Sequence, residues 1–254
     1  MTEDRWFPGV NQRTTYFHEA LAQCLAAGHV PRPSFDCVQE RINDLQSPYW
    51  IWHQTGCTIS TIHRDGQALK VVSNLPNAAT TDPNYIKRML KERKLVNGAC
   101  PLPDSDVLEM IANAGKVDEK GNILVSIKPL ADWRRAGSGE QSFESALTHP
   151  MSAVFGTSQR AKDYFKALNK KGFGSIYLLF ADDDSGQALV RPSAFGVNYD
   201  DVGGDYGYFN LSGRLPGVPS VGAAGTRKNL VVPTLVDIVN LARGCGTELV
   251  NQTL

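Results

Sequence analysis

Residues 152–186 read SAVFGTSQRAKDYFKALNKKGFGSIYLLFADDDSG, and the fold class turns on how they are parsed. The apolar opening predicts a strand, Gly156-Thr157-Ser158 a short loop, and AKDYFKAL an amphipathic helix. SIYLLFA then predicts a second strand, ending at Asp182, Asp183 and Asp184. In a strand–loop–helix unit the first N–H groups of the helix are unpaired, so such a loop can hold an anion such as phosphate. Gly156, Thr157 and Ser158 are small, carry two hydroxyls and are followed by Arg160 and Lys162, which suits that role. They suit a plain helix cap equally, which needs only Thr157 or Ser158.

Outward from this stretch, the N-terminal side is rich in helix signals. Residues 15–27 (TYFHEALAQCLAA) place apolar groups at helical spacing and stop at Gly28. Ser34 is placed to cap a second helix with Phe35, Val38, Ile42 and Leu45 on one face. Residues 57–74 (CTISTIHRDGQALKVVSN) predict a β-hairpin turning at Asp65-Gly66. Asp82-Pro83 opens a helix that runs to about Lys94, and another follows Asp104 and stops at Gly115. A strand is predicted at 123–127, and Ala136–Gln141 (AGSGEQ) is the most linker-like stretch. Beyond residue 186 come two strand candidates, ALVRPSAFGV and YGYFNLSG, then a glycine-rich loop and a last helix, PTLVDIVNLAR. The expected fold is mixed α/β or α+β: a helix-rich N-terminal part with a β-hairpin, packed on a C-terminal sheet with flanking helices. The corresponding division is 1–135 and 142–254, or one continuous domain.

The bulk composition narrows the function classes. Of the 254 residues, 42% are hydrophobic and 20% charged, values of a globular protein. Twenty-six basic residues balance twenty-six acidic ones, which disfavours a globally basic nucleic-acid binder. No segment reaches the roughly 18 apolar residues of a membrane span, and no signal-peptide pattern opens the chain. Five scattered cysteines without a CxxC pair fit reduced thiols, and hence a cytoplasmic location.

The resulting functional expectation is an enzyme, a transferase or hydrolase, that binds a phosphate-bearing, nucleotide-like ligand. Gly156, Thr157, Ser158 and Arg160 would hold phosphate, together with Gly225, Thr226, Arg227 and Lys228 of the loop GAAGTRKN. Asp182 and Asp183 would act as base, Asp182 and Asp184 would bind a metal such as Mg²⁺, and His53 or His149 would transfer protons. The P-loop and dinucleotide fingerprints are both absent. A zinc site at His53, Cys57 and His63 is disfavoured by strand geometry, and a Cys–His hydrolase built on Cys57 or Cys100 is a further option. Lys87, Arg88, Lys91, Arg93 and Lys94, joined by Arg134 and Arg135, could instead track a nucleic-acid backbone. The remaining alternative is a non-enzymatic interaction or assembly protein.

One resemblance bears on these options. Trp52-His53-Gln54-Thr55-Gly56 resembles the aromatic-His element that ADP-ribosyltransferases carry on an early strand. VFGTSQRAKDYF followed by GSIYLLF is similar to that family's Ser-Thr-Ser strand, helix and next strand. The resemblance implies NAD as substrate and a strand-borne Glu that polarises the ribose hydroxyl. Here the sole glutamate after Asp184 is Glu248, past the last predicted helix, so the family's third element has no counterpart.

Overall fold

The hairpin predicted at 57–74 forms two inner strands of the main sheet. Its strands run His53–Arg64 and Gln67–Ser73, with Arg64 opposite Gln67. Asp65 and Gly66 both have positive φ (50° and 74°), the two-residue turn whose twist matches that of the flanking strands. The computed structural model describes residues 5–9, 12–198, 201–206, 209–210 and 212–220. By its contacts the chain divides into Met1–Ser220 and Val221–Leu254, and only the first is described below.

In chain order the unit opens with β1 (Arg5–Phe7), β2 (Thr15–Tyr16), α1 (Phe17–Ala26), β3 (His29–Pro31) and α2 (Ser34–Asn43). The hairpin strands are β4 and β5. After them come α3 (Ala78–Thr81), α4 (Pro83–Lys91), β6 (Cys100–Pro101), α5 (Asp104–Ala112), β7 (Val125–Pro129) and α6 (Leu130–Ala136). The rest is β8 (Gly139–Ser142), α7 (Phe143–Thr148), α8 (Ser158–Lys170), β9 (Ser175–Leu178), β10 (Leu189–Asn198), β11 (Asp201–Tyr206), β12 (Ser212–Gly213) and β13 (Leu215–Pro219). The architecture is mixed α/β.

An eight-stranded sheet runs β7-β5-β4-β10-β11-β9-β8, with β6 beside β10. Every pairing is antiparallel except that of β11 with β9. A smaller sheet, β1-β13-β3, sets the first and last strands of the unit side by side. Gly217 in β13 is there for close approach: a Cβ would meet Cys24 Sγ at 2.7 Å and Phe7 Cε2 at 2.9 Å.

Side chains alternate across the large sheet, giving it two cores. On one face Ile62 and Val71 meet Phe17 and Leu21 of α1, Ile86 and Met89 of α4, and Met110 of α5. On the other, Cys57, Ile59, Val72 and Phe195 meet Trp133 of α6, Ala146 of α7, and Ala161, Tyr164 and Phe165 of α8.

Several expectations hold in detail. Asp82 caps α4 by accepting from the Asn84 N–H at 2.9 Å, with Pro83 in the first turn. Gly28 follows the end of α1 at φ +73°.

Others are corrected. Ser34 is the first residue of α2 rather than its cap, and its hydroxyl donates to the Val154 carbonyl at 2.6 Å. The linker-like Ala136–Gln141 stretch holds the end of α6 and most of β8, whose residues pair with β9. The largest change falls in the opening stretch. Pro150–Phe155 is a 3₁₀ helix and not a strand, because Pro150 starts it and His149 Nδ1 accepts from the Met151 N–H at 3.0 Å. The predicted strand–loop–helix–strand unit is therefore helix–corner–helix–strand.

Candidate functional site

The Gly156–Ser158 corner is shaped from within. Gly156 has φ +83°, and a Cβ there would meet Phe35 Cβ at 2.8 Å and Asn122 Oδ1 at 2.9 Å. Thr157 is the N-cap of α8, its Oγ1 accepting from the Arg160 N–H at 3.0 Å. Arg160 turns back into the fold: its guanidinium donates to Asn122 Oδ1, to the Phe155 carbonyl at 3.2 Å and to Gln39 Oε1 at 3.2 Å. The cation expected to reach a phosphate is occupied in fastening α8 to α2 and to the turn before β7.

A cleft of about 200 Å³ does lie beside the corner, bordered by Ser126, Lys128, Thr148, Ser152, Thr157 and Ser158. His149 lies on it too, so the structure brings together two groups of predicted residues, His149 and Gly156–Ser158. Both imidazole nitrogens are engaged, however. Nε2 donates to the Gly137 carbonyl at 2.9 Å while Nδ1 takes the Met151 N–H, and burial lowers the pKa. The volume falls below the roughly 300 Å³ at which pockets for drug-sized ligands begin.

The aspartates lie on the loop between β9 and β10. Arg134 of α6 forks onto Asp182, with Nε to Oδ2 at 3.0 Å and Nη2 to Oδ1 at 2.7 Å, and reaches Asp184 at 3.3 Å. Asp183 turns inward and accepts a two-pronged bond from Arg191, at 2.8 and 2.9 Å. Arg191 also donates to the Asn97 carbonyl at 2.6 Å. Next to this pair, Lys70 is 1% exposed and donates to Thr61 Oγ1 at 2.7 Å. Burial pushes its amine down to about 8, against the pull of Asp183. The oxygens expected to bind a metal or take a proton thus accept arginine N–H groups. Among the described residues no three His, Cys, Asp or Glu side chains are grouped to hold a metal ion.

His53 is fully buried, its ring among Trp6, Tyr49 and Phe195. Nδ1–H donates to the Ile51 carbonyl at 2.8 Å, and burial, aided by the charge of Arg41, pushes the pKa down to about 3. It stays neutral near pH 7 and, among the described residues, its side chain is closed off from solvent. Burial likewise raises the thiols, Cys57 to about 11 and Cys24 and Cys100 to about 12, which removes the thiolate a Cys–His hydrolase needs. Arg134 and Arg135 sit on the sheet face opposite α4, so the basic residues do not form one track. Gly222, Gly225, Thr226, Arg227 and Lys228 lie outside the described residues.

The polar residues that organise this region, Arg41, Lys70 and Arg191, were missed as candidates. Their signal is a cation at a core-facing position. Arg41 follows Val38 by one helical turn, and Lys70 alternates with Ala68 and Val72 on β5.

Neither a protein-family model nor a curated protein matches this chain. A solved structure from work on the accommodation of massive sequence variation in Nanoarchaeota by the C-type lectin fold does match, with a TM-score of 0.71 at 19% sequence identity. The match covers 85% of this chain and 97% of that one. The chain shares the C-type lectin fold. With this fold and the closed geometry above, the expectation of a nucleotide-binding transferase or hydrolase is corrected, as are phosphate-bearing and nucleic-acid partners. The ADP-ribosyltransferase resemblance falls as well, since its Ser-Thr-Ser strand is here a 3₁₀ helix and its His is buried. No helix among the described residues is long and apolar enough to cross a membrane.

Proposed function

We propose that this chain is a non-enzymatic recognition protein, a rigid C-type lectin frame that presents a surface to a macromolecular partner. The observation that carries the reading is the fold match, which spans nearly all of the other chain at only 19% identity. A frame kept while most residues differ is suited to holding a variable surface. The printed description of that structure, accommodation of massive sequence variation, is consistent with such use. The interior supports the reading from the other side. The most reactive groups among the described residues serve internal contacts: His53, His149 and Asp183 in hydrogen bonds, and Cys57 in the core.

The test combines a glycan and protein array with a thermal-shift panel of NAD, ATP, GTP and Mg²⁺. The expected result is saturable binding to an array component without its consumption, and no shift with nucleotide. A nucleotide at about a hundred times its dissociation constant would add roughly 2.7 kcal/mol and shift the melting temperature by a few degrees. Such a shift, or any nucleotide turnover, would overturn the proposal.

A further inference from the structure

The large sheet ends at β7, and the outer edge of that strand is open at Ile127. Val125 turns its backbone away from β5, because its C=O accepts the Gly115 N–H at 2.9 Å. Successive residues of an antiparallel strand point their backbone groups to alternate sides. Ser126 and Lys128 therefore bond to Val72 and Lys70 of β5, while Ile127 points outward with Val125. The hairpin sets the same phase from the other side. Arg64 and Gln67 close its two-residue turn as a bonded pair, so Leu69 and Val71 bond to β4 and leave Lys70 and Val72 for β7. Ala114 bridges Val125 at one end of this edge, and Pro129, without an N–H, closes the other. Among the described residues no strand lies beside Ile127 on its outer side.

A pocket adjoins the open edge. Ser126 and Lys128 project from the same face of β7 and border the cleft of about 200 Å³, across from Ser152 and Ser158. Among the described residues none of these four side chains has a hydrogen-bond or ion-pair partner. The neighbour of Lys128 across the pair is another lysine, Lys70, so no acid answers its charge there. A cleft of this size is small for a free ligand and ample for a side chain or two. An open strand edge beside a pocket is what an extended peptide needs. Backbone bonds to the edge give affinity, and a pocket for alternate side chains gives selectivity.

We infer that the β7 edge and this cleft together form a docking site for an extended acidic peptide of a protein partner. Paired antiparallel to β7, the peptide residue opposite Ile127 exchanges two hydrogen bonds with it. Its two neighbours then face the cleft, a carboxylate opposite Lys128 and a small residue opposite Ser126. A second copy of this chain is the poorer occupant. Two β7 strands paired about Ile127 set Ser126, and not an acid, against Lys128. The inference rests on the recognition reading above and names a partner class for it.

The experiment measures binding of the full chain to a labelled peptide, Thr-Thr-Glu-Val-Ser-Thr-Thr, by fluorescence anisotropy, with amide hydrogen exchange read by NMR. In the free chain the Ile127 amide should exchange fast while those of Ser126 and Lys128 are protected, and the peptide should slow Ile127 about tenfold. The peptide should bind saturably, with a dissociation constant below about 1 mM. N-methylation of its valine removes the hydrogen meant for the Ile127 carbonyl and should weaken binding about fivefold, with the protein itself unaltered. Lys128→Glu should weaken it about fivefold at low salt, and exchanging the peptide glutamate for lysine should restore binding to that variant. A slow Ile127 amide in the free chain, or equal binding of the N-methylated peptide, would overturn the inference. So would protection of Ile127 that rises with protein concentration alone, the mark of a second copy on β7. Array binding to another partner with none to the peptide would also overturn it, yet leave the recognition reading in place. Nucleotide turnover would instead remove that reading.

Discussion

On the sheet face covered by α1, α3, α4 and α5, the buried groups are Phe17, Leu21, Ile62, Val71, Ile86, Met89 and Met110. Its buried polar side chains include Asn77, whose Nδ2 donates to Thr58 Oγ1 at 3.1 Å. On the opposite face the same strands bury Lys70, Arg191 and His53, with Arg41 of α2 above them. Arg41 donates to the Tyr49 carbonyl and the Tyr164 hydroxyl, each at 2.6 Å, and its guanidinium lies over the rings of Trp50 and Phe195. One face is held by shape, which tolerates substitution at similar volume. The other face has an apolar core of its own and adds buried charges to it, and each buried ion tolerates little because it depends on a specific partner.

The sharpest way to break this contrast is at Asp183. Removing the carboxylate leaves the Arg191 guanidinium buried at 2% exposure without its counter-charge. Asp183→Ala should cost about 3–5 kcal/mol, read as a lowered urea midpoint with an unchanged slope. Replacing both members, Asp183→Leu with Arg191→Met, should restore much of that loss. A loss below about 1 kcal/mol in the single variant would mean that the charged face is not the more exacting one.

How much of this was legible follows from the range of each interaction. The hairpin, the Asp82-Pro83 start and the Gly28 stop are local, written in two to four neighbouring residues, and they appear where the sequence places them. The strand predicted at 152–155 failed because an apolar run of that length suits a 3₁₀ turn equally, and Pro150 with His149 decides between them. The DDD run was legible as a cluster but not as a set of pairs. Its partners Arg134 and Arg191 come from elsewhere in the chain, and only the packing of α6 and β10 around the loop brings them in. His53 looked like a proton carrier because its residue type titrates near neutrality. Nothing local reports that Trp6, Tyr49 and Phe195 close over it.

Acid should probe the same face next. The folded pKa of His53 is about 3 against an ordinary 6.5, so between these values the unfolded chain binds the proton and the folded chain does not. Stability therefore rises with pH through that window and levels off above 6.5. Going down from pH 7 to pH 5, this residue alone should lose about 2 kcal/mol. His53→Gln should show a smaller decline over the interval, by about that amount, in urea titrations at each pH. Parallel declines in the two proteins would mean that His53 takes up a proton in the fold.

The smallest effect is expected on the same loop as the largest, and that pairing isolates burial from chemistry. Asp182 and Asp184 flank Asp183 and also meet an arginine, Arg134, with bonds as short as 2.7 Å. Those three side chains are each about half exposed, at 53%, 48% and 49%. Water solvates them nearly as well apart as together, so the fork gains little from a geometry as good as that of Arg191. Arg134→Ala should lower the urea midpoint only slightly at low ionic strength. The difference should vanish near 1 M salt, where screening acts within about 3 Å, while the Asp183→Ala deficit persists because salt does not reach the buried pair. If the Arg134 loss also persisted at high salt, the loop would be held by its outer fork as well as its inner one. The distinction between a charged interior and an inert rim would then have to be redrawn at α6.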